Sequence, residues 1–188
     1  MDWQYTLISL YLYLCTQHHT KLAPYVMRFS NNDREPQFTD TELLTVYLFG
    51  LIRKRTSLRE IHDYTRDHLA DWFPDLISYG GFVQRRNRLC DLFPVLIDQV
   101  LSEYRTPDLL KDVRIIDSMP IVMASQRRAS QASVAQELAQ KGYCASKQMY
   151  YYGVKLHLVG QRRAGTMPLP EYIGVTSAAE HDLSAFRC

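Results

Sequence analysis

Between Val113 and Val122 the chain reads VRIIDSMPIV, and this stretch constrains the fold more than any other. Val113-Arg114-Ile115-Ile116 is a β-branched run of strand type, Asp117 ends it, and Ser118-Met119-Pro120 supplies a turn. Apolar residues of both parities predict a strand covered on both faces, as at the centre of a sheet packed by helices. A carboxylate there is costly unless it is paired, hydrogen-bonded or coordinated. Two readings follow. Asp117 caps its own turn, or a stiff strand holds it where a hard cation reaches it.

A length of 188 residues fits one domain or two small ones with a real core. The net charge of +2 leaves no bulk electrostatic signature, so any nucleic-acid surface must be local. Its distribution is uneven: residues 112–188 hold nine Lys/Arg against six Asp/Glu, whereas 1–111 carry slightly more acid than base. Cys15, Cys90, Cys144 and Cys188 are scattered with no C-x-x-C pair, as in a reducing compartment. The apolar run Tyr5–Cys15 follows only Asp2, lacks a basic segment before it, and is too short to span a bilayer. A cytoplasmic protein without a membrane partner is expected.

Apolar residues at Leu7, Leu10, Tyr11 and Leu14 predict a packing helix over 3–18, with His18-His19 at its solvated end. Asn31-Asn32-Asp33 through Pro36 reads as a polar loop. Thr39-Asp40-Thr41-Glu42 is a capping box opening a helix to about Arg53, with Leu43, Leu44, Tyr47, Leu48 and Leu51 as its apolar residues. Ser57-Leu58-Arg59-Glu60 is a second box, opening a helix whose inner face is Ile61, Tyr64 and Leu69. The pair is a helix-turn-helix or a plain helical hairpin, its link made basic by Arg53-Lys54-Arg55 and Arg59. His62 and His68 do not share a helical face and are read as core or surface residues, not ligands. Tyr79-Gly80-Gly81 closes that unit. Phe82 then starts a helix with Arg85, Arg86, Asn87 and Arg88 on its polar face, residue types that suit phosphates and base edges. Leu92–Leu101 is a further packing helix, and Thr106-Pro107 marks the boundary.

After Asp117 comes a polar insertion holding Arg127-Arg128, and Ser133-Val134-Ala135-Gln136 predicts a short helix stopped by Gly142. Tyr150–Val159 alternates as a strand, with Tyr150, Tyr152, Val154, Leu156 and Leu158 on one face and Tyr151, Lys155 and His157 on the other. Pro168–Thr176 predicts a third strand with Tyr172, Ile173 and Val175 in its core. Ser177-Ala178-Ala179-Glu180 is a third capping box, with His181-Asp182 in the helix that follows.

Four motifs then stand in order: IDSMPI at 116–121, GYCASK at 142–147, YYGVKLH at 151–157 and TSAAEHD at 176–182. Together with Tyr79–Leu89 they resemble the DDE transposases of bacterial insertion sequences, most closely the nine-eighty-two group. The resemblance implies an α+β chain: a helical DNA-binding region (1–108), then the first half of an RNase H-like domain (109–188) with three antiparallel strands and the start of a helix. It implies DNA cleavage and strand transfer by three carboxylates holding two Mg²⁺ ions, of which Asp117 matches the first and bridges both. That favours the metal-ligand reading of Asp117. The second Asp and the Glu of the family pattern are expected to be lacking here, since the chain stops inside the helix after the third strand. Asp182 is the nearest substitute, although its place in a first helical turn suits capping better.

The implied partner is double-stranded DNA, the terminal inverted repeats of the element, and a homo-oligomer is compatible with this reading. Arg53, Lys54, Arg55, Arg85, Arg86, Arg88, Arg127, Arg128, Lys147 and Lys155 are the candidate DNA contacts. The alternative is a catalytically inactive DNA-binding fragment that competes with a complete transposase. A hydrolase using Cys or Ser finds no base-paired motif. The first strand, lacking the neighbour that carries the second carboxylate, is expected to be an open edge.

Overall fold

Thr39 and Ser57 open helices as their capping boxes predict. In the computed structural model, which describes residues 2–26, 36–103, 113–163, 165–181 and 184, helix α1 spans Trp3–Gln17 and its cap is Asp2, whose carboxylate accepts from the Gln4 amide at 3.2 Å. Helix α2 (Asp40–Ile52) carries the reciprocal box. The Glu42 amide donates to Thr39 Oγ1 at 3.2 Å, and the Thr39 amide donates to Glu42 Oε2 at 2.6 Å. Ser57 caps α3 (Leu58–His68) by accepting from the Glu60 amide. Gly50 lets α2 and α3 approach closely, since a Cβ there would lie 2.6 Å from Ile61 Cγ1. Helix α4 spans Tyr79–Arg88 and α5 spans Leu92–Glu103. The expected start of α4 at Phe82 is corrected by three residues, because Ser78 accepts from the Gly81 amide and draws Tyr79-Gly80-Gly81 into the first turn.

These helices belong to the first of two compact units, Met1–Ser102 and Glu103–Cys188. Their core gathers Leu7, Leu14, Leu43, Phe49, Ile61 and Phe82 with further apolar side chains. Thr39→Ala removes the two bonds made by the hydroxyl, from the Glu42 amide and to Glu42 Oε2, and is expected to cost about 1 kcal/mol in urea unfolding, with Thr39→Ser near neutral.

The second unit is built on a four-stranded antiparallel sheet of β1 (Arg114–Ser125), β2 (Gln140–Cys144), β3 (Met149–Gln161) and β4 (Leu169–Ser177). Strand β3 is central. Strand β1 runs along one side of it, while β2 and then β4 share the other. The molecule is thus mixed α+β, with five α-helices and four strands among the described residues.

Three expectations are corrected here. First, the strand does not stop at Asp117; β1 continues to Ser125, and Asp117 lies opposite Leu158 in mid-strand. The reason is Pro120. The Arg162 amide donates to the Val113 carbonyl, so odd-numbered residues of β1 turn their backbone groups toward β3 and even-numbered ones turn outward. Pro120 sits in the outward set, where a missing N–H costs no ladder bond. Second, the short helix predicted after Ser133 does not form: residues 134–138 are turns, and a fourth strand, β2, follows them. The insertion forms a 3₁₀ turn over Gln126–Gln131, and Gly142 lies inside β2, where a Cβ would meet the Ala178 carbonyl at 2.3 Å. Third, Ser177 ends β4 and the Glu180 amide donates back to its carbonyl in a turn.

Burial also departs from the pattern. Ile115, Ile116 and Met119 are 44%, 45% and 52% exposed, so neither face of β1 is covered. Tyr172, Ile173 and Val175 are exposed too, instead of forming a core. The second unit has no α-helix among its described residues to lie over them. Its buried side chains include Tyr151 and His157, both on the face that looked polar; His157 Nε2 bonds Thr176 Oγ1 at 2.8 Å. The loop at Asn31-Asn32-Asp33, the boundary at Thr106-Pro107 and Asp182 lie outside the described residues. No helix among the described residues is long and apolar enough to cross a membrane.

Candidate nucleic-acid interface

The connection between α2 and α3 concentrates cations by its backbone geometry. The Lys54 amide donates to Leu51 O at 2.8 Å and the Arg55 amide to Gly50 O at 3.0 Å. This pair of bonds is the Schellman closure of a helix, which needs a left-handed residue just after the cap. Lys54 occupies that position with φ 62°, where glycine is the unstrained choice. The strain keeps a cation at the tip of the turn.

Aromatic rings fix the flanking arginines. The Arg55 guanidinium lies 3.5 Å from the centroid of Tyr64, and that of Arg59 lies 3.8 Å from the centroid of Tyr79. Stacking leaves the edge of each guanidinium open for hydrogen bonds to a phosphate. Among the described residues Arg53, Lys54, Arg55 and Arg59 take part in no ion pair. Arg59, Arg53 and Lys54 are exposed and Arg55 is half-buried. The sequence placed Arg59 in the basic link but not among the candidate DNA contacts, because its stacking partner Tyr79 comes from another helix.

The arginines of α4 divide differently. Arg85 donates to the Phe38 carbonyl and forms an ion pair with Asp40, the two side chains being 18% and 8% exposed. Arg86 Nη2 donates to Tyr47 Oη at 3.1 Å, and its guanidinium lies 5.0 and 5.4 Å from the ring centroids of Tyr47 and Phe93. These two side chains fasten α4 to neighbouring helices instead of lining an open basic face. Asn87 and Arg88 are exposed. His62 is a core residue, its Nε2 bonding the Ile77 carbonyl at 2.9 Å beneath Tyr79 and Phe82.

In the second unit Arg127 and Arg128 are exposed on the 3₁₀ turn, and Lys147 is exposed in the β2–β3 turn. Lys155 Nζ donates to the Glu180 carbonyl at 2.7 Å, which ties β3 to the turn after β4. Cys144 Sγ lies 3.3 Å from Ser146 Oγ; that hydroxyl and then the Lys147 amide hold the thiol below its ordinary pKa. Neither partner is a general base, so the pair does not make a nucleophile of the Cys–His type.

Asp117 is exposed, and one carboxylate oxygen accepts from the Ser118 amide at 2.8 Å. That amide belongs to the outward-facing set, so the side chain caps part of an otherwise open edge. The described residues contain no cluster of three His, Cys, Asp or Glu able to hold a metal ion. A single carboxylate does not hold two Mg²⁺ ions, so the donor set among these residues does not fit the implied pair.

No family model, curated protein or solved structure matches the chain. The site therefore rests on its own geometry: a basic turn that forms no ion pair among the described residues of one unit, and an exposed carboxylate on the outer strand β1 of the other.

Proposed function

We propose that this chain is a DNA-binding protein of the DDE transposase type, whose helical unit grips the duplex backbone through the α2–α3 turn. The observation that carries the DNA reading is the set Arg53, Lys54, Arg55 and Arg59, unpaired by carboxylates and partly laid on tyrosine rings. Phosphates are the polyanion that such a spaced, sequence-local set of cations fits best. The transposase part is supported by the four ordered motifs and by the antiparallel succession of β1, β3 and β4, with Asp117 on the first. In this reading the substrates are the terminal repeats of a mobile element, and complete members of the family cut and join DNA.

The function assigned to these 188 residues is binding. Asp117 offers one carboxylate where two-metal cleavage needs several. In a plasmid assay with Mg²⁺, the purified chain is expected to retard duplex DNA and leave it uncut, and Asp117→Asn is expected to change neither result. Mg²⁺-dependent nicking that Asp117→Asn abolishes would overturn the binding-only assignment.

A further inference from the structure

Helix α1 contains no Asp, Glu, Lys, Arg or His in its 15 residues, in a chain whose residues are 22% charged. A helix without charge on any side is normally covered over most of its surface. Here one side is buried, with Leu7 and Leu14 at 2% and 0% exposure. The other side shows Tyr5, Ile8 and Leu12 at i, i+3 and i+7, exposed by 63%, 44% and 58%. A cavity of about 310 Å³ opens beside them, lined by Leu7, Ile8, Tyr11, Glu42, Trp72 and Phe73.

We propose that a second copy of the chain docks on this face, α1 against α1 in antiparallel, about a two-fold axis near Ile8. The face carries both the knobs and the hole, which is the self-complementarity an isologous interface requires. It bears no charge on the stripe to repel its own copy, and its polar groups there (Gln4, Tyr5, Ser9, Tyr11) each both donate and accept. Antiparallel crossing about Ile8 sets Tyr5 of one copy beside Tyr11 of the other, which lines the cavity together with Glu42, an acceptor for a tyrosine hydroxyl. The exposed parts of Tyr5, Ile8, Tyr11, Leu12 and Trp72 offer roughly 500 Å² per copy, at the low end for a specific interface. An interface of this size belongs with weak, transient contacts, for which a Kd on the order of 10 µM is the expected scale.

Sedimentation of the intact chain from about 1 to 100 µM tests this, a range that spans such a Kd. A monomer–dimer equilibrium is expected, abolished by Ile8→Glu with Leu12→Glu and separately by Tyr5→Lys, the most exposed position of the stripe, with the circular dichroism spectrum kept. Ile116→Lys on the edge of β1 is expected to leave the dimer intact. A wild-type monomer at the highest concentration, a dimer that survives the α1 substitutions, or one dissolved only by Ile116→Lys would each overturn the assignment.

Discussion

Arg85→Ala is expected to destabilise the helical unit by about 3 kcal/mol, lowering its melting temperature by roughly 12–24 °C. The side chain ties α4 to the start of α2 through the Phe38 carbonyl and the Asp40 carboxylate. Removing it takes a guanidinium away from a carboxylate whose side chain is 8% exposed, so part of the desolvation of that charge is no longer offset. The cost lies at the lower end of the range for buried pairs, because Arg85 itself keeps some contact with water. Arg85→Met combined with Asp40→Leu should recover most of the loss, since the desolvated charges disappear together. Thermal unfolding followed at a helical wavelength measures both. A shift of a degree or two for Arg85→Ala would show that the guanidinium is not structural and would return it to the set available for DNA.

Replacing Arg53, Lys54, Arg55 and Arg59 by Ala is expected to weaken duplex binding on the order of 100-fold at low salt, with little change in stability. Each cation that meets a phosphate contributes by releasing a condensed counterion, so the loss grows with the number of contacts removed. Arg127→Ala with Arg128→Ala should cost far less if the helical unit is the grip. Lys54→Gly separates charge from folding more sharply. It relieves a left-handed residue and should stabilise α2 by up to about 1 kcal/mol, while still reducing affinity. An enzyme or binding protein that keeps strain at a contact residue shows this opposition of stability and function.

Caps and alternation made much of this architecture legible. Thr39 and Ser57 set the starts of α2 and α3 because the hydroxyl and the amide it accepts are three residues apart, so the signal is local. The alternation of Tyr150–Val159 likewise marked β3. What escaped depends on distance in the chain. The pairing of Arg85 with Asp40 spans 45 residues, and the role of Arg85 follows from that contact and not from its basic neighbours. The stack of Arg59 on Tyr79 is equally non-local. Pro120 looked like a strand end because the hydrogen-bonding phase of an edge strand is set by its partner, here β3. Tyr151 and His157 are buried although their alternating face reads as polar, since His157 satisfies a ring nitrogen on Thr176 of the adjacent strand.

The salt dependence of duplex binding by the intact chain tests the central claim most directly. Fluorescence anisotropy between about 50 and 300 mM salt should give log K falling linearly with log salt, at about −0.9 per phosphate contact. The variant lacking Arg53, Lys54, Arg55 and Arg59 should show a slope shallower by roughly 3.6 if each of the four meets a phosphate. Absence of binding at the lowest salt, or a slope that these four substitutions leave unchanged, would contradict a DNA grip at the α2–α3 turn.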